Sequence, residues 1–187
     1  MSTEPEVQIR YPDRPIEEAD APWWLAKVKP RQEKKFALDL YQEGIEYYLP
    51  LYEHVVRNEK IKRTRVYKHP LFPGYVSFAQ TTPSHIYTSG RVVDIIRISN
   101  QKRFVFELSR IYRAFEQRYV IEPVENDIRV GEEVRICAGP LRGMSGRVVR
   151  LKNRLRVVIS VYGLGCASAE VPVTEIEKAH GGHIEPR

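Results

Sequence analysis

The chain has 187 residues, of which 42% are hydrophobic and 29% charged, and this apolar content suffices for the core of one large domain or two small ones. No apolar run approaches the roughly 18 residues of a membrane-spanning helix, and no basic start followed by an apolar block marks the N-terminus, so a cytoplasmic protein is expected. The formal net charge of +6 favours an acidic partner, although a solvated basic surface is the commonest cause of such a value.

The charge is distributed unevenly along the chain. Residues 1–21 carry six acidic and two basic side chains, a net charge of −4, which leaves +10 for residues 22–187. Four prolines lie in or next to this segment and it has little apolar periodicity, so a disordered acidic tail is predicted. A regulatory acidic arm that masks the basic body is the alternative.

Three elements are predicted after the tail. Alternating apolar residues indicate a strand at 23–28, with Trp23 and Leu25 on one face and apolar residues also on the other. Because both faces are apolar, the strand suits a sheet covered by a helix on one side and by a loop or partner on the other. A helix is predicted at 30–41, and a second strand at 45–51.

A basic stretch at 57–69 leads directly into an aromatic turn. The stretch holds six Lys or Arg residues against one acid, which usually indicates a solvated hairpin or loop, but clustered cations also favour a nucleic-acid contact. In the following segment Pro73 and Gly74 predict a rigid turn flanked by Phe72 and Tyr75. The two aromatic rings belong either to a core turn or to a preorganised binding surface.

The N-terminal domain is predicted to be α+β, with an antiparallel sheet flanked by helices, over residues 22–120. A strongly β-branched strand is expected at 92–98. Apolar residues at i, i+3, i+4 and i+7 between Leu108 and Phe115 then indicate a helix with one apolar stripe.

Short strands and glycine turns dominate the C-terminal part. Residues 121–128 lack periodicity and are predicted to be a linker, and residues 180–187 a flexible tail. Strands at 133–136, 147–151, 155–161 and 171–173, with glycine turns between them, indicate a small β-barrel over residues 129–179.

Four motifs together resemble the NusG family of transcription elongation factors, in the family's order, from about Trp23 to Ala179. Two of these motifs in tandem identify the family far more specifically than either motif alone. The motifs are Trp23-Trp24 before a helix, the sequence at 44–50, Leu71-Phe72-Pro73-Gly74-Tyr75-Val76, and Val134-Arg135-Ile136 followed by Gly139, Gly143 and Gly146, which is similar to a KOW motif.

The resemblance implies a NusG N-terminal domain that docks on the clamp helices of RNA polymerase beside the non-template DNA strand. It also implies a C-terminal SH3-like KOW barrel, a monomeric protein, and an effect on pausing, termination or antitermination. Lys27 departs from the apolar or aromatic residue that the family has at that position. The polymerase-facing positions that the resemblance implies are Trp23, Leu25, Phe72, Tyr75, Ile96 and Ile98.

Charge and location assign a second set of residues to DNA. The nucleic-acid-facing residues are Lys29, Arg31, Lys34, Lys35, Arg63 and Arg65. In the C-terminal domain, Val161-Tyr162-Gly163 is similar to the family's Phe-Gly loop, which implies contact with a small-subunit ribosomal protein or the termination factor Rho. The basic stretch and the 44–50 sequence are more similar to the specialised RfaH-like branch than to housekeeping NusG.

No residue pattern is typical of catalysis. No nucleophile, paired carboxylates or phosphate loop stands out, and the five histidines are scattered, so no enzyme activity, metal site or cofactor is expected. Cys137 and Cys166 have neither disulfide nor zinc spacing and are expected to be buried. The alternative function is a ribosome-associated, RNA-binding KOW protein, with Phe72 and Tyr75 as core or stacking residues.

Overall fold

The computed structural model describes residues 8–58, 63–83, 86, 90–123, 131, 133–151 and 154–179. The chain divides into two compact units, Met1–Phe106 and Glu107–Arg187, and the division falls inside the second α-helix. Neither helix in the described ranges combines the length and apolar character that crossing a membrane requires.

The first unit contains a five-stranded antiparallel sheet and a separate two-stranded ribbon. The sheet has the strand order β1-β3-β6-β2-β7, and the ribbon pairs β4 with β5. The elements are β1 (Arg10–Tyr11), β2 (Trp23–Val28), α1 (Glu33–Gln42), β3 (Glu46–Tyr48), β4 (Leu51–Asn58), β5 (Arg63–Pro70), β6 (Tyr75–Ala79), β7 (Val92–Arg97) and α2 (Gln101–Glu116).

The predicted strand at 23–28 is confirmed as β2, whereas α1 begins three residues later than predicted. Arg31 has a left-handed backbone with a φ of 61°, which cannot be part of an α-helix. The Gln32 N–H donates to the Lys29 carbonyl at 3.1 Å, so a tight turn precedes the helix. The chain therefore reverses direction before α1 begins.

One face of the sheet packs on α1. Phe36, Ala37 and Leu40 of the helix share a buried cluster with Ala26 of β2 and Phe78 of β6. Tyr41, by contrast, is 42% exposed and lies outside this buried stripe of the helix. Burial of each large apolar side chain stabilises the fold by about 1.5–3 kcal/mol, so this layer contributes much of the stability of the first unit.

The beginning of α2 covers the opposite face at Trp23. Because β7 ends at Arg97, the backbone of Trp23 has no strand partner on that side. The Gln101 side chain replaces one, since its Oε1 accepts from the Trp23 N–H at 2.9 Å and its Nε2 donates to the Trp23 carbonyl at 2.8 Å. The Trp23 and Phe104 rings pack with their centroids 6.3 Å apart.

The described part of the acidic segment differs from the predicted disordered tail. Tyr11 pairs with Tyr47 in the sheet, and Ile16 is only 2% exposed. The Arg14 guanidinium binds Glu46 at 2.6 Å and Asp20 at 2.7 Å. A single buried apolar residue and one multiply paired cation anchor the segment, and neither produces a periodic signal in the sequence.

The second unit contains a six-stranded antiparallel sheet in the order β13-β9-β10-β11-β12-β8. This sheet confirms the predicted α+β class with a separate C-terminal β-structure. A 3₁₀ turn at Val173–Glu175 precedes β13. The strands are β8 (Ile121–Pro123), β9 (Glu133–Ile136), β10 (Ser145–Leu151), β11 (Arg154–Val161), β12 (Gly165–Ala169) and β13 (Ile176–Lys178).

Several local predictions for this half need correction. Ile121–Pro123 was assigned to a linker, but it forms β8 and pairs with β12, where Ile121 is buried. The small residues of β12 carry no β-branched signal, so that strand was missed, and the strand predicted at 171–173 is not present. Cys137 and Cys166 are exposed rather than buried. The predicted tail at 180–187 lies outside the described residues.

The Tyr119 side chain, shortly after the end of α2, forms a hydrogen bond with Glu175, which directly precedes the edge strand β13 of the C-terminal sheet. Its hydroxyl donates to the Glu175 carboxylate, with oxygen distances of 2.8 and 2.9 Å. Burial, followed by this hydrogen bond, raises the pKa of Tyr119 to about 12. The hydroxyl therefore stays protonated, and the link intact, well above neutral pH.

Candidate functional site

The segment Phe72–Tyr75 is the rigid turn that the sequence predicts. The Tyr75 N–H donates to the Phe72 carbonyl at 3.2 Å, and Gly74 has a φ of 84°. Pro at the second position and Gly with a positive φ at the third are the signature of a type II turn. The turn therefore presents Tyr75 at the start of β6 from a backbone with little freedom to lose.

Two neighbouring elements hold the turn in place. Glu33, the first residue of α1, accepts a hydrogen bond from the Gly74 N–H at 2.7 Å, although its side chain is only 6% exposed. The Val28 N–H, at the end of β2, donates to the Gly74 carbonyl at 2.8 Å. The position of Tyr75 thus depends on a buried carboxylate that sequence inspection did not single out.

Replacing Glu33 with alanine is expected to destabilise the protein by about 1–3 kcal/mol, because the partly buried Gly74 N–H loses its acceptor. Glu33→Gln keeps an acceptor oxygen and should cost less. Thermal unfolding of both variants beside the wild type measures the difference. Equal stability of the alanine and glutamine variants would show that the hydrogen bond is not what holds the turn.

The sheet register brings four of the six predicted polymerase-facing residues to one face. Leu25 lies opposite Ile96 on β7, Lys27 lies opposite Tyr75 on β6, and Trp23 is on the same face of β2. This is the face away from α1. Of the other two, Phe72 lies in the turn and Ile98 follows the end of β7.

Exposure separates these six residues into two groups. Trp23, Leu25, Phe72 and Ile98 are at most 4% exposed, so in this structure they belong to the core rather than to a partner surface. Tyr75 and Ile96 are partly exposed, and Lys27 between them is exposed. The prediction that all six form the surface therefore needs correction, because the sequence pattern identifies the face but not what covers it.

The predicted DNA-facing cations lie on two different elements. Lys29, Arg31, Lys34 and Lys35 surround the start of α1, and the Lys29 ammonium donates to the Gly90 carbonyl at 2.7 Å. Arg65 is exposed on β5 of the ribbon. Arg63 begins β5, and its side chain lies outside the described residues.

Arg31 adopts a conformation that favours glycine, with its φ of 61°. Arg31→Gly is expected to stabilise the fold by about 0.5–1 kcal/mol. The substitution removes the strain of a left-handed non-glycine residue, which is about 1–2 kcal/mol, but glycine loses more conformational entropy on folding, and this loss offsets part of the gain. Denaturant unfolding checks this, with the helical Lys35→Gly as a control that should destabilise. A loss of stability in Arg31→Gly would mean that the guanidinium makes a compensating contact.

The loop predicted to bind a partner of the C-terminal domain follows β11. Val161 is buried, whereas Tyr162 is half-buried and Gly163 exposed. The Tyr162 N–H donates to the Glu107 carboxylate of α2 at 2.6 Å, and Glu107 is 9% exposed. Part of the loop backbone is therefore already engaged within its own unit.

The ribbon of β4 and β5 is a feature whose geometry the sequence did not reveal. For the basic stretch the sequence leaves a hairpin and a loop open, and the structure shows a hairpin. The five histidines look scattered in the sequence. Strand pairing instead brings His54 and His69 together, with ring centroids 6.0 Å apart. No group of three or more His, Cys, Asp or Glu side chains suited to a metal ion occurs among the described residues.

A protein-family profile described as "NusG: Transcription termination factor nusG" matches residues 21–115, just over half of the chain. The structure resembles that described as "Domain interaction in Thermotoga maritima NusG", with 21% identity, a TM-score of 0.49, and coverage of 85% of this chain and 97% of that one. It also resembles the MjSpt4:Spt5 complex in conformation B, with 18% identity, a TM-score of 0.27, and coverage of 86% and 99% respectively. No curated protein matches the sequence.

Proposed function

The protein belongs to the NusG family of transcription factors, and from this premise we propose that it binds the clamp helices of RNA polymerase during elongation, beside the non-template DNA strand. The single observation that carries the proposal is the face formed by Tyr75, Lys27 and Ile96. Lys27 pairs with Tyr75, and Ile96 pairs with Leu25 on the same face of β2. Tyr75, Lys27 and Ile96 are partly or fully exposed. They extend from a buried apolar layer that gives them a rigid base.

Tyr75 is the central anchor of this contact. Rigid aromatic residues dominate interface energetics because they bury a large area at a small entropic cost. The type II turn and the Glu33 hydrogen bond already fix the backbone of Tyr75 before binding. The cations Arg31 and Lys35 lie exposed near the start of α1, whose first residue Glu33 binds the Gly74 N–H, and they suit the phosphates of a nearby strand.

The mechanism needs no bond chemistry. A protein that binds the closed, pause-resistant state of polymerase more tightly than the open state shifts the equilibrium toward the closed state. The effect on pausing, termination or antitermination follows from this preference. Membership of the RfaH-like branch remains a prediction.

The C-terminal domain has a separate role in this proposal. The loop Val161–Gly163 contacts a second factor, either a small-subunit ribosomal protein or Rho. Support for this role comes from the exposed Gly163 and the half-buried Tyr162, which lie at the turn between β11 and β12. The protein acts as a monomer in the cytoplasm.

Binding of the purified protein to a reconstituted bacterial elongation complex tests the proposal. Ribosomes and free structured RNA are measured in parallel at the same salt concentration, because a basic protein binds any polyanion at low salt. Saturable binding to the elongation complex, stronger than to the other two, supports the proposed function. Binding to ribosomes or RNA alone would instead favour the ribosome-associated alternative.

A further inference from the structure

The β4–β5 ribbon is exposed to an extent that folding alone does not explain. An isolated two-stranded hairpin is only marginally stable. Apolar side chains that stay exposed on it therefore contribute little to the stability of the fold. Among the described large hydrophobic residues with substantial exposure, four lie on the ribbon: Val55 at 50%, Val56 at 42%, Val66 at 53% and Tyr67 at 41%. A concentration of exposed apolar surface of this kind indicates a binding element.

The pairing register divides the ribbon into two chemically different faces. Val55 pairs with Val66 and Glu53 with Lys68, so these residues form what we term the valine face. On the other side His54 pairs with Tyr67. The residues of this second side, termed the aromatic face, are Tyr52, His54, Val56, Arg65, Tyr67 and His69.

Four rings on the aromatic face form one contiguous patch. The His69 ring centroid lies 5.9 Å from that of Tyr52, 6.0 Å from that of His54 and 6.2 Å from that of Tyr67. The planes of Tyr52 and Tyr67 tilt only 38° and 34° from the plane of His69. Tyr67 and both histidines are exposed, so three of the four neighbouring rings are accessible to a ligand.

The charge around this patch selects the chemistry of its partner. Among the described ribbon side chains, Arg65 is an exposed cation on the aromatic face itself. The exposed cations Arg57 and Lys68 lie on the valine face, together with the carboxylate Glu53. Aromatic rings next to cations complement a ligand that has planar bases and a phosphate backbone. The bases must be unpaired, because in a duplex their flat surfaces are stacked on each other.

We propose that the aromatic face of the ribbon binds single-stranded DNA, with bases stacked on Tyr67 and His69 and the phosphate backbone against Arg65. The choice of DNA rests on the proposed function, in which a displaced DNA strand lies next to the bound protein. The Tyr75 face and the aromatic face lie on different sheets of the first unit, so the two contacts can be tested separately.

Fluorescence anisotropy of a labelled 12-nucleotide single-stranded DNA, titrated with the full-length protein, tests the inference without polymerase. Tyr67→Ala is expected to weaken binding at least fivefold, because one lost base–aromatic stack is worth about 1–3 kcal/mol. Val66→Ala, next to it on the valine face, is the matched control and should change the dissociation constant less than twofold. Arg65→Gln should lower the slope of log K against log salt by about 0.7, as expected for one lost phosphate contact on a single strand.

Tyr67→Leu separates stacking from ribbon folding and from general apolar contact. Leucine keeps the apolar bulk at this position but has no flat ring, so its binding loss should match that of alanine. Wild-type affinity in Tyr67→Leu would overturn the stacking assignment, as would equal losses in Tyr67→Ala and Val66→Ala. Tighter binding of the same sequence as RNA, or of duplex DNA, would overturn the choice of single-stranded DNA.

Failure of the aromatic face to bind single-stranded DNA can be told apart from failure of the proposed binding to RNA polymerase. Tyr75→Ala should leave the affinity for the free oligonucleotide unchanged, since Tyr75 lies in the five-stranded sheet and not on the ribbon. If the wild type does not bind the oligonucleotide but does bind the elongation complex, the assignment of the aromatic face is wrong and the polymerase contact stands.

Discussion

Replacing Tyr75 with alanine is expected to weaken binding to an elongation complex by at least ~2 kcal/mol, about 30-fold in affinity, with little change in thermal stability. The side chain is only partly buried, so the fold loses few contacts. The interface, by contrast, loses its central aromatic anchor. The backbone turn does not depend on the tyrosine ring, because its hydrogen bonds use only backbone atoms and Glu33.

The matched control is Tyr41→Ala. Tyr41 is also exposed, at 42%, but it lies on α1 and therefore on the other side of the sheet. It should keep the wild-type affinity for the elongation complex. A large fall in the melting temperature of Tyr75→Ala would show that Tyr75 is a core residue, and an unchanged affinity would remove it from the interface.

Gly146→Ala is expected to destabilise the C-terminal unit by about 1–3 kcal/mol or more, because it overpacks a site where two strand backbones approach closely. A Cβ at this position would lie 2.3 Å from the Val158 carbonyl oxygen and 2.6 Å from the Val157 Cγ1. The carbonyl belongs to β11, which pairs with β10 from Arg154 to Ile159, so it cannot move without disturbing that ladder.

Differential scanning calorimetry of the full-length protein measures this effect, since two compact units need not unfold in one transition. The adjacent Ser145→Ala is the control, because Ser145 is exposed and its substitution adds no atom to the β10–β11 contact. Only Gly146→Ala should lower a transition temperature. Wild-type unfolding of Gly146→Ala would mean that β10 and β11 separate at little cost.

Local sequence patterns determined those features that depend on only a few neighbouring residues. Pro73 and Gly74 predicted the turn because each restricts or extends the allowed backbone angles by itself. The strand at Trp23–Val28 followed from alternation, and the helix over Gln101–Glu116 from the apolar spacing of its second half. The same motifs, in order, were sufficient to identify the NusG family.

Tertiary structure decided which apolar residues are covered and which remain available to a partner. Trp23 and Leu25 on one face of β2 were predicted to meet a partner, but both are buried, and of the predicted residues on that face Tyr75 and Ile96 stay partly exposed. Alternation shows that both faces of a strand are apolar, yet it carries no information about which distant element packs on either face.

The same limit applies to the ribbon and to the acidic segment. His54 and His69 are 15 positions apart in the sequence, and only the β4–β5 register brings them to one face. Arg14 and Ile16 anchor a segment that composition predicted to be disordered: Arg14 pairs with Glu46, 32 positions away, and Ile16 is buried. Contacts between residues distant in sequence depend on the packed chain as a whole, so local propensity and spacing do not determine them.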